Sequence, residues 1–281
     1  MIWIITLVIL VIVGIVLDRE IYFYEGVHLG PRMQAWLYDR WAKKYDQGKR
    51  ESQQHDQETL ARPLLELLKD VPEPVILDFA TGTGRLSYAV LRQAELQAHI
   101  IALDLSQGML EQASLKLTQR ERTIPHQTSG VELLRHVSLP LPFADAVFDA
   151  VCALEVLELF PNMDQLLKEL TRVLRPGGIL LTSRGTEESG RRAKVKSKPV
   201  FTALLEGNEL EQIQITAWWK LFDRVTARKK GNSQPGGSKA LVEVLRCTTC
   251  GRIEWEVGAG WWKCRECDKK LLVTKEGIIL Y

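Results

Sequence analysis

Apolar positions along the chain fall into runs with two different spacings. Residues 74–80 (PVILDFA), 98–105 (AHIIALDL), 148–154 (FDAVCAL) and 178–183 (GILLTS) are short and almost continuously apolar, the pattern of strands covered on both faces. Between them the spacing is helical. Residues 106–120 begin at Ser106, a natural N-cap, and keep Met109, Leu110, Ala113 and Leu117 on one face, and residues 162–174 do the same with Leu166, Leu167, Leu170 and Leu174. This alternation over residues 30–230 predicts an α/β domain with a doubly wound, mostly parallel sheet. The order then changes. Residues 198–210 read as a helix capped by Ser197 and stopped by Gly207, and two strands, EQIQITAWW and LFDRVTARK, follow with almost nothing between them. So close a pair must be antiparallel, which predicts a terminal hairpin at one side of the sheet.

The first 25 residues break the pattern, with IWIITLVILVIVGIVL running from Ile2 to Leu17 without a charge. Sixteen helical residues reach only about 24 Å against a hydrocarbon core of about 30 Å. A helix continued through Tyr22, Phe23 and Tyr24 makes up the difference, with Trp3 at the other interface. A cleaved signal peptide fits less well, because no basic segment precedes the run and no small-x-small site follows it. Residues 1–25 are therefore expected to be a single transmembrane helix, with residues 2–24 in contact with the membrane. Arg19, Arg32, Arg40, Lys43 and Lys44 all follow the segment, which places the body of the protein on the cytoplasmic side.

At the other end, residues 231–241 are rich in Gly, Ser, Asn and Pro and read as a linker. Residues 242–281 hold four of the five cysteines as two Cys-x-x-Cys pairs, Cys247 with Cys250 and Cys264 with Cys267, 13 residues apart. That spacing predicts a small zinc ribbon with a closed, structural four-thiolate Zn2+ site. Two disulfides or a redox pair are the competing readings, and a cytoplasmic location disfavours the first. A 40-residue ribbon has little core of its own and is expected to unfold by itself on loss of zinc. Cys152, inside an apolar run, reads as a small core residue.

Overall charge does not point to a polyanion, since 37 basic residues stand against 35 acidic ones. The chemistry concentrates instead in VILDFATGTGRL, residues 75–86. A glycine-rich turn after a strand serves nucleoside triphosphates, dinucleotides or S-adenosylmethionine. A phosphate-binding loop needs Gly-Lys-Ser/Thr, which is missing, and Ser87 stands where a dinucleotide site has its third glycine. Asp78 at the strand end would repel a pyrophosphate and attract an ammonium group. A tight turn with no ligand remains open on this stretch alone.

Several segments in order resemble a class I S-adenosylmethionine-dependent methyltransferase, of the branch that includes ubiquinone and menaquinone biosynthesis methyltransferases. YDRWAKKYD resembles the helix that lies over the cofactor, LDFATGTGRL the first motif with Ala80 where glycine is usual, and ALDLSQGMLEQA the second. LPFADAVFDAVCALEVLELF, LTRVLRPGGILLTS and the terminal hairpin complete a likeness over residues 37–229. The resemblance implies a Rossmann-like fold and S-adenosylmethionine as cofactor. It implies that Asp78 holds the methionine ammonium and that Gly82 and Gly84 let the backbone approach the methionyl group. Asp104 would accept the ribose hydroxyls, with Ala80, Thr81, Leu105 and Met109 around them; Arg85 flanks the turn as a weaker candidate. Val137 falls where the family often carries an acid for the adenine amino group, which leaves adenine to backbone groups near His136 and Ser138. Leu159 replaces a frequent His. The cysteine-bearing segment resembles small zinc-ribbon proteins that partner tRNA, rRNA and protein methyltransferases, with Gly277 and Ile278 matching their closing run.

The expected activity is therefore methyl transfer to a small, lipophilic, quinone- or lipid-like acceptor at the membrane surface. Glu155, Glu158 and Tyr45 are weak candidates for a catalytic role, with Tyr38 and Trp41 as aromatic walls; Glu155 reads more readily as a pocket-lining or ion-paired acid without a catalytic role. A second reading is RNA or protein methylation, with the ribbon as recognition module and the basic run RRAKVKSK, residues 191–198, as the contact. The same run suits anionic lipid headgroups. A third is a non-catalytic, cofactor-binding scaffold, suggested by Val137 and Leu159.

Overall fold

The computed structural model describes residues 2–93, 97–121, 130–189 and 195–281. Seven strands form the predicted sheet: β1 Val75–Phe79, β2 His99–Asp104, β3 Gly130–Arg135, β4 Phe148–Ala153, β5 Leu174–Gly185, β6 Leu210–Trp219 and β7 Phe222–Lys229. β1 to β5 are parallel, and β6 and β7 form the antiparallel hairpin on the β5 side. Each of β1 and β4 is fully buried, as their unbroken apolar runs require. β3 was absent from the sequence reading, because GVELLR is short, carries a carboxylate at its centre and shows neither an unbroken apolar run nor a clear alternation.

Helices cover both faces. α2 Pro31–Gln53, α3 Arg62–Leu67, α4 Arg85–Leu91, α5 Gln107–Glu121, α6 Met163–Val173 and α7 Lys198–Gly207 follow an N-terminal α1, Ile2–Asp18. Of the two serines read as caps, Ser106 behaves as expected, its Oγ accepting from the Met109 N–H at 3.1 Å, whereas Ser197 precedes α7 without a side-chain cap hydrogen bond; Asn162, not singled out from sequence, caps α6 through the Gln165 N–H at 3.1 Å. One buried cluster holds Leu77, Phe148, Leu167 and Phe201; the other holds Ile76, Ile100, Leu110 and Leu181. Alternate residues of one strand, Ile76 and Leu77, thus serve opposite faces.

The C-terminal segment joins this sheet. After a turn of helix at α8, Leu241–Val244, the strands β8 Trp255–Gly258, β9 Trp261–Cys264, β10 Lys270–Val273 and β11 Ile278–Leu280 pair antiparallel in succession. β11 then pairs in parallel with β3, Ile278 opposite Leu133 and Leu280 opposite Arg135, so that one eleven-stranded sheet runs β6-β7-β5-β4-β1-β2-β3-β11-β10-β9-β8. Residues 231–240 carry no helix or strand, and Ser233 anchors them, its carbonyl accepting from Arg175 and its hydroxyl donating to the Pro176 carbonyl.

The membrane reading is corrected. α1 stops at Asp18 after 17 residues, and the chain turns through a wide helical turn, Arg19–Phe23, instead of carrying the apolar helix on to Tyr24. Among the described residues no helix is long and apolar enough to cross a membrane. The single-pass anchor at residues 2–24 and the cytoplasmic-side orientation built on it are both withdrawn. Asp18, Arg19 and Glu20 end the apolar stretch one turn too early, and Gly26, at φ 74°, turns the chain toward α2. The aromatic residues meant for an interface are used locally: Phe23 and Tyr24 pack edge to face with centroids 4.9 Å apart, and Arg19 lies over both rings. α1 itself is exposed along its length.

Candidate active site

The site lies over the C-terminal ends of β1, β2 and β4, where the strand order reverses and open α/β sheets bind ligands. The turn after β1 runs through left-handed backbone at Ala80 (φ 55°), Gly82 (φ 55°) and Gly84 (φ 76°). It is held from below by the two acids. Asp78 Oδ2 accepts from the hydroxyls of Thr81 at 2.7 Å and Ser87 at 2.6 Å, and from the Ser87 N–H at 3.2 Å. Asp104 accepts from the Gly82 N–H and the Ser106 N–H, both at 2.8 Å. Burial pushes the Asp78 carboxyl up from its ordinary range and the Asp104 carboxyl up to about 6, against the pull of these donors.

α2 lies across this turn and is tied down by polar contacts at three levels. Asp39 accepts from the Ser106 hydroxyl and the Gly108 N–H, Asp46 from the Thr83 hydroxyl, with Lys116 also on Asp46 at 2.8 Å. Lys49 reaches Glu155 at 2.5 Å. Under α2 a cavity of about 100 Å³ follows the turn, with Asp78, Gly82, Asp104, Leu105, Met109 and Glu155 in its walls. Beside it opens a wider cavity of about 500 Å³ lined by Tyr22, Trp41, Lys44, Ser189 and Phe222 among others. Tyr38, Tyr45, Lys49 and Glu155 belong to both.

A sequence profile of the methyltransferase domain matches residues 77–182. A demethylmenaquinone methyltransferase of Lactobacillus johnsonii is 29% identical over 215 residues, 74% of this chain and 86% of that protein. A ubiquinone/menaquinone biosynthesis C-methyltransferase of Brucella anthropi is 35% identical over 106 residues, where the match spans 37% of this chain and 38% of that protein. The same fold occurs in the crystal structure of an S-adenosylmethionine-dependent methyltransferase from Aquifex aeolicus, with a TM-score of 0.53 and 17% identity, covering 68% of this chain and 97% of that one. The chain is a class I S-adenosylmethionine-dependent methyltransferase.

Within the methyltransferase the residues singled out from sequence separate into groups. Asp78, Ala80, Thr81, Gly82, Asp104, Leu105 and Met109 come together in the smaller cavity. Gly84 lies behind it: a Cβ there would sit 3.1 Å from the Ala113 Cβ, so its smallness serves the packing of α4 against α5. Glu155 and Tyr45 stand at the junction of the cavities, whereas Glu158 is buried beneath, accepting from the Gly185 N–H at 2.6 Å. Leu159 is in the wall of the smaller cavity. His136, at the end of β3, packs against the Tyr281 ring with centroids 5.1 Å apart. Of the basic run, residues 191–194 lie outside the described residues.

Two residues were undervalued by the sequence. Arg85 is not a solvated flank: it reaches Asp56 through Nε at 2.6 Å and Nη2 at 2.8 Å, Glu155 at 2.7 Å and the Ser52 carbonyl, and lies 4.7 Å from the Trp218 ring centre. Lys49 was hidden in a charged helix segment. Its acid partner comes from 106 positions away, a pairing no local pattern announces.

The four cysteines Cys247, Cys250, Cys264 and Cys267 gather at one point, with all Sγ atoms within 4.8 Å of one another and the closest pairs at 3.5 and 3.6 Å. A tetrahedral zinc with sulfur at about 2.3 Å needs sulfurs about 3.8 Å apart, so the cluster has the donor set and the spacing for a single ion. The Thr249 N–H points at Cys247 Sγ at 3.4 Å, as in a metal-binding knuckle.

Proposed function

We propose that this methyltransferase acts on a small aromatic, lipophilic acceptor of the quinol type, seated in the larger cavity with its reacting atom at the wall formed by Tyr38, Tyr45, Lys49 and Glu155. The supporting observation is the pair of adjoining cavities that share those four residues. About 500 Å³ suits one or two fused rings, and Trp41, Tyr45 and Phe222 offer flat faces to them. The relatives named for demethylmenaquinone and ubiquinone or menaquinone methylation point the same way.

In this reading Asp104 accepts the ribose hydroxyls, Asp78 faces the methionine ammonium, and Gly82 leaves room for the methionyl group. Bound there, the donor supplies an electrophilic methyl group on a sulfonium. The protein's part is to align the acceptor and keep water away. The smaller cavity, at about 100 Å³, lies below the usual range of roughly 300–1,000 Å³ for small-molecule sites. α2 must therefore lift for the donor to enter, and its attachment by Asp39, Asp46 and Lys49 rather than by a broad apolar face suits such a movement. The four thiols hold a structural Zn2+ that fixes the knuckles of residues 242–281.

Purified full-length protein incubated with methyl-labelled S-adenosylmethionine and naphthalene-1,4-diol under reducing conditions tests the proposal. Label is expected in the solvent-extractable product. Label confined to added RNA or protein would overturn it.

A further inference from the structure

Lys49 is a cation placed at the point where the two cavities meet, where it also ties α2 to Glu155. It is half-buried near the end of α2, its Nζ is 2.5 Å from Glu155 Oε2, and it lies 5.8 Å from the centre of the Tyr45 ring. Arg85 also holds Glu155 Oε1 at 2.7 Å, but it is shared with Asp56, so Lys49 supplies the second cation of a group of two acids and two bases. Glu155 is also held by its backbone: it follows β4 with φ 56°, a conformation uncommon outside glycine, and its N–H donates to Ser183 Oγ at 2.7 Å. Backbone strain of this kind persists where surrounding contacts fix a residue in place, and it concentrates at functional sites. The acid is thus a fixed post, and Lys49 is the movable member of the pair.

The groups that act on Lys49 come from three elements, Tyr45 on α2, Arg85 on α4 and Glu155 after β4, and Tyr38 and Asp104 line the same cavity. Burial would lower the Lys49 ammonium, but Tyr45 and Glu155 raise it above the ordinary range, so it stays charged. Burial likewise raises both tyrosines, which keeps their hydroxyls as donors.

We infer that Lys49 binds an acidic oxygen of the acceptor, a phenol or enol hydroxyl, and holds it as the oxyanion at the methyl-transfer point. This rests on the aromatic-acceptor reading above and names the chemical feature that reading leaves open. When the acceptor docks, its O–H bond breaks heterolytically, the proton passes to water in the open larger cavity, and the electron pair stays on oxygen opposite the Lys49 ammonium. That electron pair raises the nucleophilicity of the oxygen and of the ring carbon beside it. Glu155, with both oxygens engaged by cations, is then a positioning residue for Lys49, and the acceptor's proton does not end on it.

Binding of 4-nitrophenol to the full-length protein, saturated with S-adenosylhomocysteine, reports the effect directly, because the phenol and phenolate absorb at different wavelengths. The bound probe is expected to titrate about one pH unit below the free probe, the size of effect one nearby cation produces. Lys49→Met should abolish the shift while the probe still binds and the melting temperature stays within a few degrees; Lys49→Arg should restore it. Glu155→Gln should leave part of the shift in place. A bound probe that titrates like the free one, or an equal shift in Lys49→Met, would overturn the inference and leave the acceptor cavity standing. Failure of 4-nitrophenol, 1-naphthol and naphthalene-1,4-diol alike to bind at millimolar concentration would overturn the cavity assignment, and this inference with it.

Discussion

Asp104 is buried beneath the β1–α4 turn, and the proposed site needs it ionised to accept hydroxyls; these demands conflict. Its carboxyl titrates at about 6 in the folded protein against an ordinary 3.8. A carboxyl raised on folding favours the folded state while protonated, so this contribution is complete below pH 3.8 and is lost as pH rises through about 6. Donor binding in the proposed site has the opposite sign, because there the carboxylate accepts the hydroxyls. The dissociation constant for S-adenosylmethionine, followed by calorimetry, is expected to level off above pH 6 and to weaken by up to about tenfold per unit below it. Asp104→Ala should cost roughly 100-fold, the worth of two charge-assisted hydrogen bonds at about 1.5 kcal/mol each. Arg85 poses a different case, since it stands between two carboxylates with little access to water. Arg85→Ala leaves Asp56 without its partner and should destabilise by about 3 kcal/mol in urea unfolding, with Arg85→Lys recovering only part because the fork is lost.

At the scale of elements, the two glycines of the β1–α4 turn do separate work. Both have left-handed backbone, and alanine at either costs about 1–2 kcal/mol. Gly84 faces Ala113, whereas Gly82 has open space in front of it, the space assigned to the donor. Gly84→Ala should lower stability further through that contact and leave donor affinity nearly unchanged, and Gly82→Ala should lower donor affinity with the smaller stability loss; paired melting and binding measurements separate the two. Elements of this kind were legible in advance. Asp78, Gly82 and Asp104 sit at the junction of a periodic apolar run and a turn, and Ser106 caps its helix where the spacing begins. Lys49 and Arg85 were not legible, because a charged side chain declares its burial only through partners distant in sequence. Nor was the end of α1, since hydropathy measures how apolar a segment is and not where Asp18, Arg19 and Glu20 let the backbone change course. β3 escaped notice for a related reason: Glu132, polar within the strand, is satisfied by His99 and by the Leu241 N–H, neither of them near it in sequence.

For the whole molecule, the main consequence is that the cysteine-bearing segment and the methyltransferase sheet share strands and core. Ile278 packs with one buried cluster and Ile279 with the other, while Trp255 and Trp262 lie tilted against each other within the second of these, Trp255 Nε1 donating to the Leu245 carbonyl at 2.8 Å. For the proposed zinc-bound protein, a chelator is therefore expected to lower the melting temperature of the entire protein in one transition, in place of the independent ribbon unfolding that composition suggests. Two transitions, the larger unmoved, would refute it. The β3–β11 pairing also sets the order of events in folding. Its partners lie half the chain apart, so the contact closes a long loop and belongs late on the pathway. Until it forms, β3 presents an open edge, and zinc bound by the four thiols in the proposed way would convert a slow search by an unfolded tail into the docking of a preformed unit.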